Sequence, residues 1–121
     1  MAKRILVVDD EVHIRKILEH VLIEAGYDVV SAHDGEEAIN ITEKETVDLV
    51  ITDLSMPKLT GWELTVKLKH DEKTKNIPVI VLTALVQDDE IEKARKSGAN
   101  TIVPKPFSPR KIVEMVESML K

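Results

Sequence analysis

The chain contains no cysteine, so neither a disulfide nor thiolate chemistry is open to it. Its four histidines are scattered, without the paired spacing that a structural zinc site draws from a short sequence. Long apolar runs are also missing, and MAKRILVV at the N-terminus passes straight into a strand signal without a cleavage-type region. No membrane span and a cytoplasmic location are therefore expected. Lys and Arg number 17 against 22 Asp and Glu, a net charge of −5. A phosphate backbone is held by clustered basic side chains, so direct nucleic-acid binding is not expected and proteins are the favoured partners. The P-loop pattern G-x-x-x-x-G-K-[ST] is absent, which excludes that class of nucleotide site.

What is present fits one soluble domain over 1–121, with 43% hydrophobic and 32% charged residues. Residues 4–8 carry the apolar run ILVV, of the kind buried on both faces of a parallel sheet, and it ends abruptly in Asp9, Asp10 and Glu11. Ile14, Ile17, Leu18, Val21, Leu22 and Ala25 then recur at helical spacing up to Gly26. Residues 28–32 (DVVSA) read as a second strand, followed by Asp34-Gly35 and a weaker helical segment with Ala38, Ile39 and Thr42. A third strand, 49–51, ends at Thr52 and Asp53, and Met56, Pro57 and Gly61 turn the backbone towards a short helix over 62–69. Residues 78–82 (PVIVL) form a fourth strand that delivers Thr83. Asp88 or Asp89 caps a helix running to Ser97, with only Ile91 and Ala94 as inward anchors, so this helix is expected to be the least firmly held. A fifth strand at 101–103, the constrained turn Pro104-Lys105-Pro106-Phe107 and a Ser108-Pro109 cap lead into the last helix, with Ile112, Val113, Val116, Met119 and Leu120.

Five strands alternating with five helices predict an α/β fold, a (βα)5 doubly wound five-stranded parallel sheet covered on both faces. The expected strand order is 2-1-3-4-5, that of flavodoxin-like sheets, with strands one and three flanking the topological switch point. Ligands of such sheets bind beyond the carboxyl ends of the strands. Asp9-Asp10, Asp53, Thr83 and Lys105 all fall at those ends. Singly, each has an ordinary explanation: a helix cap, a turn, a capping hydroxyl, a solvated charge. Capping does not explain their placement together on one rim.

Three crowded carboxylates repel and hold protons more tightly unless a cation intervenes. One lysine against three carboxylates leaves a deficit that a single divalent ion balances. Oxygen donors without His or Cys suit Mg²⁺, which takes one or two carboxylates and a phosphate oxygen. Asp53 can then act as a nucleophile that forms an aspartyl phosphate, with Lys105 and the Thr83 hydroxyl sharing the phosphoryl charge.

The set Asp9-Asp10, Asp53 with Met56-Pro57 and Gly61, Thr83-Ala84, Gly98-Ala99 and Lys105-Pro106-Phe107 resembles a response-regulator receiver domain of two-component signalling, over essentially the whole chain. The resemblance implies that Asp53 is the phosphoacceptor from a histidine kinase or histidine phosphotransfer protein. It implies a Mg²⁺ site in which Asp10 binds directly, Asp9 acts mainly through water, and the backbone carbonyl of Ser55 joins Asp53. It implies a cis Lys105-Pro106 bond that aims Lys105 at Asp53, and a signalling face made by helix four, strand five and helix five for an unknown downstream protein or a phosphorylation-linked homodimer. Such a domain phosphorylates and dephosphorylates itself without being a turnover enzyme. The sequence ends with its last helix, so a stand-alone receiver and a piece of a larger regulator are both expected possibilities.

Three features mark this chain off. Ile102 stands where the family usually carries Tyr or Phe, so switching is expected to use Thr83, the 84–88 loop and the fourth helix instead of a ring flip. Ser55 and Leu85 stand beside the expected water path, and neither suits positioning a nucleophile, which predicts a slow-decaying phosphoryl form. Asp53-Leu54-Ser55 lacks the second acid of a haloacid-dehalogenase-type phosphatase, and the acidic turn 9–11 repels the phosphate that a flavin carrier cradles there.

Overall fold

The computed structural model describes residues 2–84 and 88–120, with the backbone alone for Glu90, Ile91 and Ala94. Its elements alternate strictly: β1 (Arg4–Val8), α1 (Val12–Glu24), β2 (Asp28–Ala32), α2 (Gly35–Lys44), β3 (Leu49–Asp53), α3 (Gly61–Lys69), β4 (Val79–Thr83), α4 (Asp88–Ser97), β5 (Thr101–Pro104) and α5 (Pro109–Met119). All neighbouring strands pair in parallel, in the order β2-β1-β3-β4-β5. This is the expected fold and strand order. Pro78 lies just ahead of β4, where its missing N–H removes nothing from the ladder, and β5 runs one residue further than 101–103.

Side chains alternate across each strand, so one sheet builds two cores. Ile5, Val7, Leu49, Ile51, Ile80 and Leu82 point to one face and pack with Leu18 and Leu22 of α1 and Ile112 and Val116 of α5. Leu6, Val8, Val50, Val79 and Val81 point to the other, against Ala38 of α2 and Leu64 and Leu68 of α3. Each fully buried aliphatic side chain contributes about 1.5–3 kcal/mol against solvent exposure. The two cores fix the strand ends, and with them the rim that carries the polar set.

The helix ends depart from expectation in instructive ways. Asp34 caps α2 by accepting the Glu37 N–H at 2.8 Å, so Gly35 begins a helix. Thr60 caps α3 in a reciprocal box, accepting from Glu63 N at 3.2 Å while Glu63 Oε1 accepts from Thr60 N at 2.9 Å. Gly61 is therefore the first residue of α3, and the positive φ of 70° in the preceding turn belongs to Lys58. Asp88 and Asp89 sit inside the first turn of α4 instead of capping it, where their charge still favours the helix N-terminus. Along α1, Leu18 and Leu22 are buried, whereas Ile17 is 44% exposed and Ala25 lies at the surface, because a helix lying on a sheet covers only one stripe. The two expected anchors of α4, Ile91 and Ala94, fall outside the described side chains. Of those described in that helix, only Ser97 is buried.

Candidate functional site

β1, β3 and β4 are the central strands, and the site grows from their carboxyl ends. Asp9 directly follows β1 and is fixed at three points. Its N–H donates to the Ala32 carbonyl at 3.1 Å, its carbonyl accepts from Arg15 Nη1 at 2.6 Å, and its Oδ1 accepts the Glu11 N–H at 2.9 Å. The last bond closes a turn ahead of α1. The N-cap of that helix is Glu11, which makes no side-chain cap bond. Asp9 and Asp10 thus do not cap α1, and the ordinary explanation for them falls away.

Asp53 ends β3, buried, with the Thr52 hydroxyl donating to its carbonyl at 3.0 Å and the next N–H, of Leu54, donating to Leu82. α3 begins so close behind it that a Cβ on Gly61 would lie 2.5 Å from the Asp53 carbonyl oxygen. Glycine is needed here for close approach, not for an unusual φ. Thr83 ends β4 and is buried, and its carbonyl accepts from Lys105 N at 2.8 Å. That bond carries Lys105 just past β5 and onto the same rim. The Lys105-Pro106 bond is cis, as the resemblance implied.

The side chains meet. Ligand oxygens of Asp9, Asp10 and Asp53 all lie within 4.8 Å of one another, and Lys105 Nζ stands 2.8 Å from Asp53 Oδ1 and 3.6 Å from Asp9 Oδ2. Asp9 Oδ2 is buried without a hydrogen-bond partner among the described residues. Burial pushes the Asp9 carboxyl up to about 6, and the nearby Asp53 charge adds to this, against the Glu11 N–H and Lys105, which lower it. Burial also raises Asp53, opposed by its hydrogen bond from Lys105. Burial works to lower Lys105, but the bond and charge of Asp53, with Asp9 behind it, outweigh this and raise it. The cluster therefore has an unsatisfied oxygen and more negative charge than its lysine neutralises. An oxygen-only donor set with an orphaned carboxylate oxygen suits a hard divalent cation.

Beside the cluster, a cavity of about 530 Å³ is lined by Asp10, Leu54, Ser55, Met56, Pro57, Thr60, Trp62 and Lys93. Ser55 is exposed, and it shares this cavity with Asp10. Leu85 lies outside the described residues. The sequence reading brought together Asp9, Asp10, Asp53, Thr83 and Lys105 on one rim, and the fold does the same. It overlooked Arg15, which anchors the Asp9 main chain from α1, and the Thr60-x-x-Glu63 box that starts α3. The box has a readable signature, whereas nothing in sequence singles out Arg15 from other helix-surface cations.

Comparison with known proteins agrees with this picture. The sequence profile described as "Response regulator receiver domain" matches residues 5–117. A probable transcriptional regulator ycf27 of Cyanophora paradoxa is 44% identical over 98% of this chain and 48% of its own length. The chain spans about half the length of the curated relatives it matches. Among solved structures, the chemotaxis protein CheY4 of Vibrio cholerae superposes with a TM-score of 0.94 at 31% identity, over 99% of this chain and 100% of that one. The receiver domain of the sensor histidine kinase PA1611 of Pseudomonas aeruginosa, with a magnesium ion coordinated in its active-site cleft, gives 0.89 at 26% identity over 99% and 98%.

Proposed function

The chain belongs to the response-regulator receiver family, and on that premise we propose that it takes a phosphoryl group onto Asp53 from a phosphohistidine of a histidine kinase or phosphotransfer protein. It is a signalling domain, not a metabolic enzyme. In the proposed step an Asp53 carboxylate oxygen attacks phosphorus, the P–N bond of the donor breaks, and the imidazole leaves as the acyl phosphate O–P bond forms. Lys105 donates to the phosphoryl oxygens from the position it now holds on Asp53. The Thr83 hydroxyl, on the adjoining strand end, shares the same charge. Hydrolysis of the acyl phosphate by water returns the carboxylate.

Asp9, Asp10 and Asp53 would hold a Mg²⁺ ion, with the Ser55 carbonyl as a further donor and Asp9 acting mainly through water. The cation would supply charge neutralisation to carboxylates and phosphoryl group alike. One observation carries the reading: a buried carboxylate oxygen, Asp9 Oδ2, has no hydrogen-bond partner inside a cluster of three acids whose ligand oxygens lie within 4.8 Å. Such an oxygen calls for a cation or a proton. The magnesium in the PA1611 receiver cleft supports the same assignment.

The donor reaches this rim over an apolar surface beside it. A second cavity, of about 480 Å³, joins Ile14 and Ile17 of α1 to Ala84, Lys105, Pro106 and Phe107. The exposed Ile17 thus has a use in donor contact. No helix among the described residues is long and apolar enough to cross a membrane, and we place the domain in the cytoplasm. Relatives named as transcriptional regulators are about twice as long as this chain. Nucleic-acid contact in such proteins is assigned to the part this chain does not match, and output from the matched part runs through the α4, β5 and α5 face to a downstream protein or a second copy.

Intact-mass spectrometry with acetyl phosphate tests the reading. One phosphoryl group is expected with Mg²⁺ present and none in Asp53→Ala. Uptake by the alanine variant would sink it.

A further inference from the structure

A groove runs between α3 and α4, the second of which it shares with the face just described. Leu59, Trp62 and Val66 form its floor, at spacings of three and four residues, and Lys67, Lys93 and Lys96 stand along its rim with Glu63 and Ser97. Its volume is about 500 Å³. Val66 is 39% exposed although it is aliphatic and lies in the middle of a helix. The chain as a whole is acidic, at −5, yet three of the four charged side chains lining this apolar strip are basic. Local charge opposite to the net charge, around an apolar floor, selects a partner that is acidic at its edges and apolar at its centre.

We propose that this groove docks an acidic amphipathic helix of a partner protein. Two or three aliphatic anchors at i, i+3 or i+4 and i+7 would lie along Leu59, Trp62 and Val66, following the usual mode of a helix in an apolar groove. Flanking carboxylates would meet Lys67 on the α3 side and Lys96 on the α4 side. Trp62 and Lys93 also line the cavity beside Asp10 and Ser55, so the docked helix would sit against the wall of the carboxylate site. The docking needs neither metal nor phosphoryl group, so it stands or falls separately from the reading of Asp53.

The test uses two synthetic amphipathic peptides of about 16 residues, long enough to hold a helix when docked. One carries leucines at helical spacing among glutamates, and the other has lysines in place of the glutamates. Trp62 is the only tryptophan of the chain, so its fluorescence reports on the groove directly, and amide shifts of the whole chain locate the contact. The acidic peptide should shift Trp62 emission and amides at 59–67 and 93–97, and the basic peptide should not. Lys67→Gln with Lys96→Gln should weaken it roughly fivefold or more. Both side chains are exposed, so the double variant keeps the fold. Val66→Asp should abolish the remainder. Equal binding of both peptides, shifts confined to other faces, or an affinity unchanged in the double lysine variant would overturn the proposal.

Discussion

Lys105 Nζ lies 2.8 Å from Asp53 Oδ1, and that single bond uses the one cation that the strand ends of the site provide among the described residues. Asp9 is left at 3.6 Å from the same amine with its Oδ2 unpartnered. One lysine cannot satisfy two buried carboxylates, and the imbalance is the basis of both the proposed cation site and its cost to stability.

That cost predicts a pH dependence. The Asp9 carboxyl holds its proton up to about 6 in the folded protein, against about 3.9 in an unfolded chain. Between those values the native state binds more protons, so the destabilisation is fully present above pH 6 and disappears as pH falls towards 4. Without divalent ions, Asp9→Asn should raise urea stability at pH 7.5, by on the order of 1 kcal/mol. The gain should shrink on acidification through pH 6. A variant that is less stable at pH 7.5, or equally favoured at pH 4.5, would contradict the assignment.

Gly61→Ala should do the opposite. Its Cβ would press on the Asp53 carbonyl and on Leu54 Cα, which are backbone atoms and cannot swing aside. A loss of about 1–3 kcal/mol in denaturant unfolding is expected, together with slower phosphoryl uptake because Asp53 itself is displaced. Normal uptake in a destabilised variant would separate the packing role from the site.

The decay of the phosphoryl form is open to a small substitution. Ser55 lies exposed in the cavity that Asp10 also lines, and so short a side chain is expected not to hold a water in line with the phosphorus. Ser55→Asn combined with Leu85→Glu should shorten the phosphoryl lifetime, by about tenfold if positioning is worth about 1.4 kcal/mol of barrier. Phosphate release measured on the double variant checks this, and an unchanged rate would remove water positioning as the cause of slow decay.

Much of this is legible in the sequence because parallel strands buried on both faces leave an unambiguous mark. The runs in 4–8, 49–51 and 78–82 mark three central strands, and a polar residue at each end can then be placed on one rim. Side-chain direction was less legible. Ile17 fits the helical period as well as Leu18 does, yet it faces outwards, since periodicity alone does not set the width of the covered stripe. Gly61 reads only as one of the residues that turn the backbone after Asp53, and its position does not reveal what it does there. A glycine near a turn suggests positive φ, but here the glycine relieves a contact between distant backbones and the lysine takes the left-handed conformation. Arg15 acts through a main-chain carbonyl, and such bonds depend on the fold more than on any residue pattern.

Ile102 and α4 give a prediction about switching. With no ring at 102 to rotate, the change on phosphorylation is expected to pass through Thr83, positions 84–88 and α4, whose described side chains are exposed except for Ser97. Few buried contacts make a segment easy to open. Hydrogen exchange with and without a phosphoryl mimic should change most at 84–97. Changes confined to α1 or α2 would contradict it.

Asp53, among all the carboxylates of this chain, is expected to receive the phosphoryl group with the help of a cation held by Asp9 and Asp10. Borohydride reduces an acyl phosphate to an alcohol, so trapping followed by peptide mapping reads the acceptor directly. After incubation with acetyl phosphate and Mg²⁺, the reduced residue should be found at position 53 alone, and it should vanish when the ion is removed by chelation or when Asp10→Ala is used. A reduced residue at any other position, or undiminished labelling of Asp53 without a divalent ion, would contradict the account.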